Sequence, residues 1–177
     1  MLIHLNHLTD RIVDELETRS FVQIPDSKFK YYKVDELFGP EVGKKFNKLG
    51  EDISSAGTCY ALGQNTACVF HMMRVMEYCV QKLGKKLKVS IDTRNESWYQ
   101  IIKSVNTHID ALPAGKSKSD AQNKRKQRFS LAASRLDHVR IVWRNDAMHP
   151  KQTYDEDQAL EVITSVGAFL KSVVGLL

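Results

Sequence analysis

Thr66-Ala67-Cys68-Val69-Phe70-His71-Met72-Met73-Arg74-Val75-Met76-Glu77-Tyr78-Cys79-Val80-Gln81-Lys82-Leu83-Gly84 is the stretch that decides the fold. Its apolar residues fall on nearly every side of a helical turn, and no glycine or proline interrupts them before Gly84. A helix that is apolar almost all round belongs inside a bundle. The stretch therefore predicts a central helix over 66–84, with Gly84 ending it. His71, Arg74, Glu77 and Gln81 fall on one narrow stripe. Polar groups on such a helix need partners, so the stripe predicts a core polar network, with His71 a satisfied interior histidine.

Working outward, the same periodicity continues in both directions. Gly63-Gln64-Asn65-Thr66 breaks and recaps the chain, and before it a helix is expected from Glu41 to about Leu62. Gly43, Gly50 and Gly57 recur every seven residues and would share one face of it, permitting close approach. Residues 21–40 are punctuated by Pro25, Gly39 and Pro40 and read as irregular, pinned by Phe29, Tyr31 and Tyr32. Leu5, Leu8, Ile12 and Leu16 define an amphipathic first helix that stops near Ser20. Downstream, Thr93-Arg94-Asn95-Glu96 reads as a capping box for a helix over 94–112, closed by Pro113-Ala114-Gly115. Ser117-Lys118-Ser119-Asp120 reads as another, opening the longest helix at 119–148 with a seam of Phe129, Ala132, Leu136, Val139 and Trp143. Thr153-Tyr154-Asp155-Glu156 caps a last helix to about Val174. The expected fold is all-α, an up-and-down helical bundle in one domain over 1–177. It divides into an additional N-terminal helix and irregular segment (1–40) and the bundle itself (41–174).

Composition narrows the partners. The 177 residues carry 42% apolar content, a formal net charge of +5 and a pI near 9.1, which lean towards a polyanion such as RNA. Cys59, Cys68 and Cys79 are odd in number and form no CxxC pair, so they read as buried thiols of a reducing compartment. The opening Met1-Leu2-Ile3-His4-Leu5-Asn6 lacks the pattern of a signal peptide, and no stretch is long enough to cross a membrane. A cytoplasmic location without membrane contact is expected. His4 and His7 share a helix face without a third ligand, so neither metal nor cofactor is expected. No glycine-rich phosphate loop, nucleophile elbow or Cys/His pair is found.

The chemistry concentrates in Arg144-Asn145-Asp146-Ala147-Met148-His149, followed at once by Pro150. A permanent cation can neutralise developing phosphate charge, and an imidazole can move protons near neutral pH. Residues five apart on a helix point about 140° away from each other. Pro150 biases His149 away from helical ψ, so the imidazole can fold back towards Arg144 or towards a second subunit. Asn145 can orient either group. The same residues can also simply cap the helix end. Lys116, Lys118, Lys124, Arg125, Lys126 and Arg128 form the densest basic patch, of which Lys124, Arg125 and Lys126 are candidate RNA contacts. Arg140 is either a further phosphate ligand or, the reading favoured by its spacing, the ion-pair partner of Asp137.

Arg144-Asn145-x-x-x-His149 at the end of a long helix resembles the signature of the HEPN superfamily. His149-Pro150-x-x-Thr153-Tyr154-x-x-Asp157-x-Ala159 and Thr66 to Arg74 are similar to bacterial members of that group, and the resemblance covers roughly 41–174. It implies a metal-independent endoribonuclease, with two motif copies facing one another across a homodimer. Toxins, phage-defence effectors and RNA-processing enzymes are its usual roles, and an antitoxin or regulatory protein its possible partner. The ribose 2′-OH would attack the adjacent phosphorus and leave a 2′,3′-cyclic phosphate and a 5′-OH. His149 would be the general base or acid, Arg144 would stabilise the added charge, and Asn145 would fix His149 or the phosphate. Lys151 stands where some members carry a tyrosine two residues after the motif histidine, so adenylylation there is not implied. The alternative is a non-catalytic HEPN-like helical module that binds a partner protein or nucleotide. A third reading is a plain structural bundle.

Overall fold

In a computed structural model, residues 2–92, 95–115, 119–142 and 153–177 are described. Their elements are α1 (Leu2–Glu17), α2 (Asp26–Phe29), α3 (Pro40–Lys45), a 3₁₀ turn (Asn47–Leu49), α4 (Gly50–Ala61), α5 (Asn65–Leu87), α6 (Trp98–Asp110), α7 (Asp120–Val142) and α8 (Glu156–Val173), with no strand among the described residues. α5 packs on α4, α6 and α8, and α7 packs on α6 and α8. Met72, Val75, Met76, Val80 and Leu83 of α5 are completely buried. Phe129, Ala132, Leu136 and Val139 of α7 are buried too, as the seam requires, and Trp143 lies outside the described residues.

Several sequence expectations are corrected. Phe70 remains 46% exposed, so the apolar surface of α5 is incomplete on that side. The helix does not end at Gly84 but continues to Leu87. There Lys88 takes the left-handed conformation (φ 61°), and Val89 N–H donates to the Gly84 carbonyl at 2.9 Å. This is a Schellman closure carried by a lysine. Gly84 serves close packing instead: a Cβ there would sit 2.5 Å from Ile91 Cδ1.

The helix expected over 41–62 is interrupted. Phe46 (φ −116°, ψ 42°) leaves helical geometry, and the break turns Phe46 and Leu49 into the core. The three glycines therefore share no continuous face. Gly57 alone meets backbone, because a Cβ there would lie 2.6 Å from the Tyr31 carbonyl oxygen. That contact seats the irregular segment on α4, where Tyr31 also stacks edge-on against Tyr60 at 4.8 Å. Phe29 was expected to help pin this segment, yet it is 65% exposed; buried Phe38 does so instead, against Gly167 of α8.

All three capping boxes exist, each displaced along the chain. α6 is opened by Ser97 with Gln100, α7 by Ser119 with Gln122 and α8 by Asp155 with Gln158. In each case the third helical residue is a glutamine that reaches back to the cap N–H. Glu96 instead accepts from Asp92 N–H at 3.1 Å, one turn ahead of α6.

α1 stands apart. Every residue over 4–23 is exposed, and Leu5, Leu8, Ile12, Val13 and Leu16 keep 44–60% of their surface in solvent. Among the described residues no helix is long and apolar enough to cross a membrane.

Candidate functional site

Arg144, Asn145 and His149 lie outside the described residues, as do Lys116 and Lys118. The described flanks of the motif are α7, described to Val142, and the approach to α8. On the second flank Tyr154 N–H donates to Thr66 Oγ1 at 3.0 Å, and Asp155 caps α8 directly afterwards. The first turn of α5 is thus tied beside that of α8. α5 has no side-chain cap, and Asn65 Oδ1 is buried without a hydrogen-bond partner among the described residues. Uncapped amides at a helix start favour negative charge.

Arg140 stands four residues before Arg144 in the sequence. Its Nε donates to Asp137 Oδ1 at 2.7 Å, forming the ion pair that the spacing favoured. Both residues line a surface cleft of about 310 Å³ between α6 and α7, with Lys103 and Asn106 opposite.

The basic patch divides. Lys126 turns to α6, where Nζ donates to the Asp110 carbonyl at 2.8 Å and caps the end of that helix. Lys124, Arg125 and Arg128 face the other way, joined by Lys86 from the end of α5 around a cleft of about 410 Å³. The Arg125 guanidinium lies over the Phe129 ring at 5.7 Å. Arg128 lies across Gly175, with its guanidinium over the glycine backbone. All four cations are exposed, and among the described residues none is paired with a carboxylate. Lys86 lies 38 to 42 residues before this group in the sequence, and its place at the end of α5 follows from the helix running past Gly84.

The polar stripe of α5 finds its partner in Asp52 of α4. Asp52 Oδ1 accepts from Arg74 Nε at 2.9 Å and lies 3.0 Å from His71 Nδ1. The network is half-open, because the Arg74 side chain is 71% exposed. Sequence reasoning missed Asp52; its signal was a carboxylate in the first turn of the preceding helix. The thiols play no visible chemical part. Burial pushes Cys68 up to about 12, with Cys59 adding to the shift, and burial alone does the same to Cys79. No family model, curated protein or solved structure matches the chain.

Proposed function

We propose that the protein is a metal-independent, HEPN-like endoribonuclease built as an up-and-down bundle, with Arg144, Asn145 and His149 carrying the reaction. The observation that carries this reading is the order Arg144-Asn145-x-x-x-His149-Pro150 between the long α7 and the freshly capped α8. In the proposed reaction the 2′-OH, which only RNA offers, attacks the neighbouring phosphorus. His149 takes that proton or protonates the leaving 5′-oxygen, a role that supplies on the order of 10²–10⁴-fold. Arg144 meets the added phosphate charge. The cations at the 410 Å³ cleft, unpaired among the described residues, support a polyanionic substrate. A toxin or defence effector is the role proposed for such an enzyme.

Purified protein incubated with mixed RNA in excess chelator tests it, beside His149→Ala and Arg144→Ala. The expected result is cutting that leaves cyclic-phosphate ends and is lost in both variants. Intact RNA with the wild type would overturn constitutive nuclease activity and favour the binding module.

A further inference from the structure

Tyr99 differs from the other tyrosines. Of the six in the chain it alone is exposed, with 64% of its surface in solvent. Among the described residues no other ring, cation or hydrogen bond claims its side chain. Lys103, Asn106 and Asp110 follow it at spacings of four, three and four, so the four side chains form one row along α6. All four are exposed, and none of these side chains has a partner among the described residues.

The row lines the cleft of about 310 Å³ whose far wall is Asp137 and Arg140 of α7. Lys126, in the second turn of α7, holds the last residue of α6, so the two helices run in opposite directions and Tyr99 comes to the end where Arg140 stands. The charges there cancel, Lys103 and Arg140 against Asp110 and Asp137. The 410 Å³ cleft is different: four cations gather there without an exposed ring, since Phe129 is 1% exposed. The two clefts are also separate, because Lys124 and Arg140 point about 160° apart round α7. A charge-balanced cleft does not select a bare phosphate. Its ring, amide and carboxylate suit a flat heterocycle that carries hydroxyls.

We propose that the α6–α7 cleft is a nucleoside subsite, which takes one unpaired base and its ribose from the RNA strand; the inference rests on the RNA reading given above. The Tyr99 ring stacks on the base. The Asn106 amide offers a donor and an acceptor side by side to the edge of that base. Asp110 accepts from the ribose hydroxyls. Arg140, its Nε already held by Asp137, keeps its Nη groups for the adjoining phosphate, beside Lys103. Bases inside a duplex are stacked and paired, so such a site selects a single strand. A cleft of about 310 Å³ lies at the small end of ligand sites, which suits one nucleoside unit.

Fluorescence anisotropy of the full chain is the test, in excess chelator and with His149→Ala as the background so that the strand stays whole. The probes are a labelled, unstructured RNA strand and a strand of equal length and charge whose riboses carry no base. Circular dichroism confirms that each variant is folded. The base-bearing strand is expected to bind more tightly. Tyr99→Leu is expected to weaken that strand by about fivefold or more while moving the abasic strand by less than about twofold. Tyr99→Phe keeps the ring and should keep the tight binding. Equal affinity for the two strands, a Tyr99→Leu that weakens both alike or neither, or a Tyr99→Phe as weak as Tyr99→Leu would overturn the subsite. Cutting by the unsubstituted chain judges the nuclease reading separately. RNA that is cut while Tyr99→Leu changes no binding removes the subsite alone, and base-dependent binding without cutting removes the nuclease reading alone.

Discussion

α1 and α5 are both apolar helices of one chain, and they end in opposite surroundings. α5 has Met72, Val75 and Met76 wholly buried by three neighbouring helices, whereas α1 leaves its leucines about half exposed. Their difference teaches that apolar periodicity says a helix needs cover but not who supplies it. α5 is apolar on several faces, so it needs neighbours on several sides, and α4, α6 and α8 supply them. α1 is apolar on one stripe, so a single surface suffices, and that surface can belong to another molecule.

Leu83→Ala in α5 is the sharpest way to break the comparison. It should cost about 3 kcal/mol in urea unfolding, as deletions from a fully packed core do. Leu8→Ala, the same chemical change in α1, should shift the unfolding free energy of the monomer by less than about 0.5 kcal/mol. Equal losses would mean that α1 already packs on its own body.

Next in size is the glycine pair of α4, the helix that covers α5. Gly57→Ala drives a methyl into the Tyr31 carbonyl and should destabilise by about 2 kcal/mol. Gly50→Ala meets open space at a helical φ of −55° and should stabilise by about 0.5 kcal/mol. Thermal unfolding of the two variants should therefore move in opposite directions.

The thiols sharpen the contrast through pH. Cys68 and Cys79 keep their protons in the folded chain up to about 12, while in the unfolded chain they release them from about 9. Folding stability should hold below pH 9 and then fall by about 1.4 kcal/mol per thiol per unit until the folded thiols also ionise. Replacing both by Ala should flatten that slope in denaturant titrations between pH 9 and 11. Below pH 9 the native thiols should resist alkylation.

Asp52→Asn is the mildest change. It removes the carboxylate shared by His71 and Arg74, and with Arg74 so exposed the loss should be about 1 kcal/mol or less. A loss of several kcal/mol would mean that the polar stripe, and not the apolar faces, holds α4 on α5.

How much of this was legible varies with how local the cause is. The all-helical class and the α7 seam follow from spacing alone, because Phe129, Ala132, Leu136 and Val139 can be buried together only on a helix. The cap positions did not. Thr93, Ser117 and Thr153 begin plausible boxes, but Ser97, Ser119 and Asp155 win because a glutamine three residues on reaches back to each. The break at Phe46 and the run past Gly84 were illegible because tertiary packing decides both: Phe46 turns inward, and Ile91 folds over Gly84. In the candidate site, the Asp137–Arg140 pair was readable from its spacing. The separation of Lys126 from Lys124 and Arg125 was not, since the carbonyl that claims it belongs to another helix. The proposed trio of Arg144, Asn145 and His149 rests on its sequence order.

Lys28 gives the exposed α1 helix one more consequence. Its ammonium is held by Glu156 at 2.6 Å and lies 5.1 Å over the Tyr60 ring, with only 13% of the side chain exposed. Arg19, ahead of it, is 64% exposed. A trypsin-like protease should therefore cut first after Arg19 and spare Lys28. Such a cut would discard α1 while leaving Phe38 and every later core residue in place. One covalent event would then separate the exposed helix from the folded body and leave the buried core whole.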